Sequence, residues 1–369
     1  MKSKVNMALY FFFAFLILIY AAVNPSKNSW DTIAYVASAR AIDSPDAETY
    51  HRYAYELLRK YVPPDVYADL TDPSYQYRAN MYDNAALFSQ QMSFYKIRIL
   101  YIYGIWLLQK AGVNAYNASH AISVFSVGAA FLILGLFAIR LRINLVTSFL
   151  PMLLIPLGVI LVARTGTPDG LTFFGVCIVF YFYYLRRLVQ FLFFLPVLVL
   201  IRTDLILLIA CFSTLFFLIE RKYCKGYLIS AGISVVVYLA INYRFGNHGW
   251  STLFYFTFIK HISELDNVHY IVKMSDYARV LKAGLINAYY TSSFLIYLFL
   301  TFIIFVRQIA NNKFVSVFMN NKLIQLHYVG GVYVFFHFVL FPVVWERFFI
   351  AEYAITLVAC LNICQKEEL

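Results

Sequence analysis

Acids and arginines at the ends of long apolar runs are the residues of this chain whose types could do chemistry. Asp31 stands in Trp30-Asp31-Thr32-Ile33-Ala34-Tyr35, just beyond the first apolar run; Asp169 follows Thr167-Pro168; Arg202-Thr203-Asp204 and Glu346-Arg347 flank later runs. Arg98 and Arg164 occupy similar positions. An ionised carboxylate is expensive beside hydrocarbon, so an acid at such a boundary must be solvated, paired or used. A carboxylate can serve as general base, and an arginine fork matches the oxygens of a phosphate or pyrophosphate. Together these residues predict a site that grips a phosphorylated lipid by its head. Asp31 is the expected base, with Asp169 second; Arg98, Arg164, Arg202, Asp204, Glu346 and Arg347 are the expected binding residues. Each also has a plainer role open to it: Asp31 as a helix cap or first-turn acid, Asp169 as a turn residue, Arg202 and Arg347 reaching up to headgroups.

Composition says what must position them. Of 369 residues, 62% are hydrophobic, 19% aromatic and 13% charged, against roughly 25% charged in soluble domains. This is the composition of a multi-span membrane protein, with Phe and Tyr for lipid-facing surfaces and interfacial belts. The net charge of +11 comes from short basic clusters between apolar runs and not from a nucleic-acid-binding arm, so no nucleic-acid partner is expected. The five cysteines form no C-x-x-C pair, and the first long polar segment has none, so that segment must hold together by packing.

A helix needs ~20 apolar residues to cross a bilayer, and the expected fold is an all-α bundle of about ten spans in a single membrane domain over 1–369. The expected spans are Met7–Val23, His120–Ile139, Asn144–Ala163, Gly170–Leu185, Leu188–Ile201, Leu205–Ile219, Gly226–Ile241, Ala283–Val306, Leu323–Val344 and Phe348–Ile363. The N-terminal run is read as a retained anchor, being longer than a signal-peptide core and followed by a weak cleavage site. Residues 24–118 form a first extracytoplasmic loop, with an amphipathic helix over Ala47–Tyr61 that puts Tyr50, Ala54, Leu57, Leu58 and Tyr61 on one face. Arg98–Gly112 is apolar but too short to cross and is expected to lie half-embedded in the outer surface. Residues 242–282 form a second outer loop. This register puts Lys2/Lys4, Arg140/Arg142, Arg186/Arg187, Arg221/Lys222/Lys225, Arg307/Lys313/Lys322 and Lys366 in the cytoplasm with both termini, as the positive-inside rule requires. The acids and arginines named above are left together on the outer face.

That layout resembles a known family. An Asp directly after the first span in Trp30-Asp31-Thr-Ile-Ala-Tyr, a helix-rich first outer loop, an Arg-led helix ahead of the second span, a second outer acid in Thr167-Pro168-Asp169 and the late Glu346-Arg347 resemble the polyprenyl-phosphate-sugar-dependent glycosyltransferases of the GT-C superfamily. The resemblance covers chiefly the first two hundred or so residues. It implies a catalytic role for Asp31, a polyprenyl-phosphate-linked sugar donor, commonly undecaprenyl-linked in bacteria, and a lipid-linked or cell-envelope glycan acceptor. It also implies an active site outside the cytoplasm, in the bacterial inner membrane. The chain departs from the pattern where Asp169 stands alone and not in an Asp-x-Asp pair, which leaves the cofactor, a divalent metal included, undetermined. Nor is a large C-terminal extramembrane domain for a polymer acceptor expected from these residues.

Other residues say less. The seven histidines show no metal-ligand spacing, and His327 and His337 are expected to be hydrogen-bonded within the bundle. His248, in Arg244-Phe-Gly-Asn-His248-Gly-Trp250, is placed to line a sugar pocket. A surface-glycan polymerase or ligase would need the same outer arginines. A lipid-linked sugar transporter or flippase would place its charges at the bilayer midplane instead.

Overall fold

A computed structural model of the chain describes residues 2–26, 29–142, 144–266, 270–310 and 318–365. Lys313 and Lys366, two of the basic residues assigned to the cytoplasmic side, lie outside the described residues. Within them the protein is all-helical, and the one β-bridge joins Ser26 to Thr165. By length and composition four helices can cross a membrane: Lys4–Val23, Ala115–Arg140, Arg221–Phe245 and Lys322–Leu340. A fifth crossing is available if Met274–Tyr290 and Ser292–Gln308, bent by 80°, count as one.

The first helix, α1 (Lys2–Val23), buries Tyr10, Ala14, Ile17 and Ala21 on one stripe and leaves Phe11, Phe12, Phe15 and Leu16 exposed. The buried stripe packs on the long helix α8 (Ala115–Arg140), where the Tyr10 hydroxyl donates to the Phe131 carbonyl at 2.7 Å. Between them lie α2 (Trp30–Arg40), α3 (Ala47–Tyr61), α4 (Pro64–Leu70), α5 (Gln76–Asp83), α6 (Ala85–Gln91) and α7 (Ile99–Lys110). These pack around a second core that includes Ile33, Tyr50, Leu58, Phe88 and Tyr101. α3 has the bounds expected from its periodicity, and Asp46 caps it by accepting from the Thr49 amide at 2.9 Å. α7, with 12 residues and so ~18 Å long, is too short to cross and packs on α2 and α8.

The third apolar run departs from expectation. Asn144–Ala163 is not one helix but three short ones, α9 (Leu145–Ser148), α10 (Leu150–Leu153) and α11 (Val159–Arg164). Pro151 and Pro156 cannot donate to a continuing ladder, and Gly158 adopts a left-handed φ of 100°. The Cβ of Glu346 lies 3.2 Å from the point where a Cβ on Gly158 would sit, so the bend also makes room for the later strand of chain.

α12 (Asp169–Tyr184), α13 (Leu188–Ile201) and α14 (Ile206–Leu218) follow, with 16, 14 and 13 residues. At ~1.5 Å per residue they fall short of a ~30 Å hydrocarbon core. α15 (Cys224–Phe245) leads to α16 (Gly249–Phe258) in the second polar segment. The single span expected over Ala283–Val306 is instead α17 (Met274–Tyr290) and α18 (Ser292–Ala310), broken at extended Thr291. The Thr291 hydroxyl donates to the Asn287 carbonyl at 2.9 Å there, competing with the backbone ladder. α19 (Lys322–Leu340) and α20 (Ile350–Gln365) complete the bundle.

Consecutive helices run back and forth, so their ends sort into two sets. His120 at the start of α8 meets the Ala21 carbonyl at the end of α1, and Gly170 at the start of α12 sits against Ser123 of α8. At the opposite end Lys322 pairs with Glu220 and the Tyr183 hydroxyl donates to Gln325 at 2.8 Å.

Candidate functional site

Five charged residues from four parts of the chain form one connected network at the end of the bundle where α1, α13 and α19 finish and α12 and α20 begin. Asp31, in the first turn of α2, accepts from Arg347 Nη2 on Oδ2 at 3.0 Å and from the Tyr95 hydroxyl on Oδ1 at 3.1 Å. Arg347 Nε lies 3.5 Å from Oδ2 of Asp169, the first residue of α12. Asp169 Oδ2 also accepts from the Thr167 hydroxyl at 2.7 Å, and its Oδ1 from Arg202 Nη1 at 2.9 Å. Arg202, just past the last turn of α13, closes a two-bond fork on Asp204 at 3.0 and 2.7 Å. Asp204 in turn lies 3.6 Å from His337 Nε2 in the last turn of α19.

Local sequence explains each placement. Pro168 is the residue just before α12, and Asp169 opens the first turn, where negative charge is favoured. Asp31 is a first-turn acid too, but Ser29 is the cap residue and makes no side-chain bond to the helix. The Asp31 carboxylate is therefore given to Arg347 and Tyr95 and not to capping. Arg202 and Arg347 both lie over the Phe348 ring, at 4.1 and 5.5 Å from its centre, and a desolvated guanidinium over a ring face gains about 2 kcal/mol.

Exposure divides the network into a floor and a rim. The Asp169 and Arg202 side chains are 3% and 4% exposed, whereas Arg347, Asp31 and Asp204 are 22%, 30% and 34% exposed. Both aspartates have both oxygens engaged, but Asp169 is closed off from solvent and acts as an anchor, whereas Asp31 keeps an exposed edge. Around Arg347, burial acts to lower the guanidinium pKa, but Asp169 and Asp31 outweigh it and hold it above its ordinary value. Burial, and then the negative charge of Asp31, push the Tyr95 hydroxyl well above its usual range, so it stays a donor. Tyr35, beneath Asp31, is pushed up to about 12, chiefly by burial.

The remaining expected site residues are placed differently. Arg98 precedes α7, close enough for its charge to act on the Tyr35 hydroxyl, and its Nε is buried without a hydrogen-bond partner. Arg164 donates to the Asn24 carbonyl and lies over the Tyr20 ring, pinning the end of α1. Glu346 packs over Gly158. His248 reaches the Gln90 carbonyl at 3.3 Å and meets the Phe94 ring edge to face, bracing one polar segment against the other. None of these three shares a bond with the network.

Tyr95, Tyr35, Thr167, His337 and Phe348 were not legible as site residues from the sequence. Of these, Thr167 alone carried a local signal, sitting two residues before an acid at a helix start. Glu352, a turn into α20, also escaped notice; it is 1% exposed and neither carboxyl oxygen has a partner. Among the described residues no group of three or more His, Cys, Asp or Glu is arranged to hold a metal ion. Comparison with protein-family models, with curated proteins and with solved structures finds no match to this chain.

Proposed function

We propose that the chain is an integral-membrane glycosyltransferase of the GT-C type, moving a sugar from a polyprenyl-phosphate carrier to a lipid-linked or envelope glycan acceptor. In this reading the polypeptide passes the bacterial inner membrane about ten times, with both termini in the cytoplasm and the network on the extracytoplasmic side. The observation that carries the proposal is the Asp31–Arg347–Asp169–Arg202–Asp204 network, drawn from distant parts of the chain to one end of the bundle. Charges at helix ends suit a reaction at the membrane surface better than a carrier site at the midplane.

The chemistry follows from exposure and charge. Asp31, on the open rim, takes the proton of the acceptor hydroxyl. The freed oxygen forms a bond to the anomeric carbon as the bond from that carbon to the carrier phosphate breaks, and the electron pair leaves on the phosphate oxygen. In this reading Arg347, bonded to Asp31, and Arg98, close enough to act on Tyr35, supply the positive charge for that phosphate, where preorganised donors have most effect. The buried Asp169–Arg202 pair holds Arg347 in place.

Purified protein is incubated with a panel of polyprenyl-phosphate sugars, and transfer is measured for the wild type and for Asp31→Asn. The proposal expects transfer from one donor by the wild type and none by a folded Asp31→Asn. Undiminished turnover in that variant removes the assigned base.

A further inference from the structure

Helix α17 carries a second feature, away from the charge network. Its buried stripe, Val280, Gly284 and Ala288, lies against the chain that leads to Arg347. A Cβ on Gly284 would come within 2.3 Å of the Pro342 carbonyl oxygen, and the Tyr277 hydroxyl donates to the Val339 carbonyl at 2.6 Å. The opposite face is open. Leu281, Lys282, Leu285, Ile286, Tyr289 and Tyr290 line a shallow groove of about 510 Å³ there. Their spacing of three and four residues makes this one continuous helix face. Leu285, Ile286, Tyr289 and Tyr290 are each more than half exposed.

Direction decides what covers that face. α18 is predominantly apolar and carries no charge before Arg307 near its end, and α17 is bent 80° from it. If α18 crosses the bilayer, α17 lies nearly parallel to the membrane surface. Its charges are Lys273 at the cap, Asp276, Arg279 and Lys282, with Arg279 bonded to Asp276 at 2.7 Å. The excess is basic, and Lys282 stands within the apolar face itself. A helix with an exposed apolar and tyrosine face, flanking lysines and an in-plane axis has the properties of an interfacial element that attracts anionic lipid.

We infer that α17 is an in-plane docking helix for anionic phospholipid, with acyl chains against Leu285 and Ile286 and the headgroup on Lys282. Through Gly284 and Pro342 the same helix braces the segment that presents Arg347, so bound lipid steadies that end of the bundle.

Two measurements on the full chain test this. Native mass spectrometry of protein taken from nanodiscs of equal phosphatidylglycerol and phosphatidylcholine compares how much of each stays bound. The wild type is expected to retain phosphatidylglycerol preferentially, and Lys282→Gln to lower the retention ratio about fivefold, the equivalent of ~1 kcal/mol for one basic residue near the surface. Equal retention by the wild type, or an unchanged ratio in Lys282→Gln, overturns the assignment. Independently, a spin label on Ile286→Cys, in a Cys224→Ser/Cys364→Ser background, is expected ~5–10 Å into the headgroup and acyl boundary. A label there as accessible to a water-soluble relaxant as one at exposed Ser74 rules out an interfacial α17.

Discussion

The carboxylate of Asp31 and the guanidinium of Arg347, 316 residues apart in the chain, meet at 3.0 Å. That contact ties the first polar segment to the turn before the last helix, and it forms the rim of the charge network. Because Arg347 also faces Asp169 at 3.5 Å, it serves two carboxylates from one planar group. Lysine keeps the charge but presents a single point where Arg347 presents a fork. Arg347→Lys is therefore expected to cut the proposed sugar transfer at least tenfold while moving the thermal midpoint little. Tyr95→Phe, which removes the other donor to Asp31, should have a smaller effect in the same direction. Steady-state transfer assays with both variants check this, and full activity in Arg347→Lys would show that the fork is not used.

Below the rim, Arg202 and Asp169 form a pair from which water is almost excluded. Removing one partner of such a pair leaves a buried charge and costs about 3–5 kcal/mol. Arg202→Met should lower the unfolding midpoint in detergent markedly, and adding Asp169→Asn should recover part of the loss. A double variant no more stable than Arg202→Met would mean that the pair's charges are not what the bundle depends on.

Gly170 and Gly175 lie about 1.4 turns apart on α12 and are expected to respond differently. A Cβ on Gly170 would fall 2.9 Å from the Ser123 carbonyl oxygen and 3.0 Å from Ser123 Cα, both backbone of α8. Gly170→Ala must push the start of α12, and Asp169 with it, away from α8, at a cost of about 1–3 kcal/mol. At Gly175 the obstacle at 2.7 Å is the tip of Ile201, a side chain that can turn aside. Gly170→Ala should therefore lower both stability and transfer, with Gly175→Ala milder in each; thermal unfolding and the donor assay read the two effects.

The contact between the two polar segments should depend on pH. His261 meets the Tyr75 hydroxyl at 3.1 Å and packs near Tyr77 and Phe256. Partial burial lowers its pKa below the ordinary 6.5. The docked form thus binds a proton less readily than the undocked one, so docking is fully favoured above pH 6.5 and weakens as pH falls below it. Amide exchange over 261–266, corrected for intrinsic rates, should rise between pH 7.5 and 5. The rise should be absent in His261→Gln; equal pH dependence in both would exclude the histidine as its source.

Much of the fold could be read from local pattern. The apolar face of α3 and the ends of α13 matched their expected bounds, because periodicity and breakers act within a few residues. The run at Asn144–Ala163 did not: hydropathy registers its apolar residues equally well whether or not Pro151, Pro156 and Gly158 interrupt the ladder. The bend at Thr291 was hidden for a similar reason, since threonine inside an apolar run is compatible with a straight helix until its hydroxyl competes for the backbone.

For the site, the sequence by itself determined which charged residues stand at the ends of apolar helices, because burying them mid-helix would be too costly. It thereby brought forward Asp31, Asp169, Arg202, Asp204 and Arg347. Only the tertiary structure decided that these five touch, while Arg164, Glu346 and His248 turn to other partners. The physical reason is that depth along a helix axis is set by chain length and polarity. Rotation about that axis and the choice of neighbour are set by packing between segments hundreds of residues apart. For the same reason Tyr95, His337 and Phe348, ordinary aromatics in the sequence, became the donor to Asp31, the neighbour of Asp204 and the shared ring of the network only once the bundle had closed.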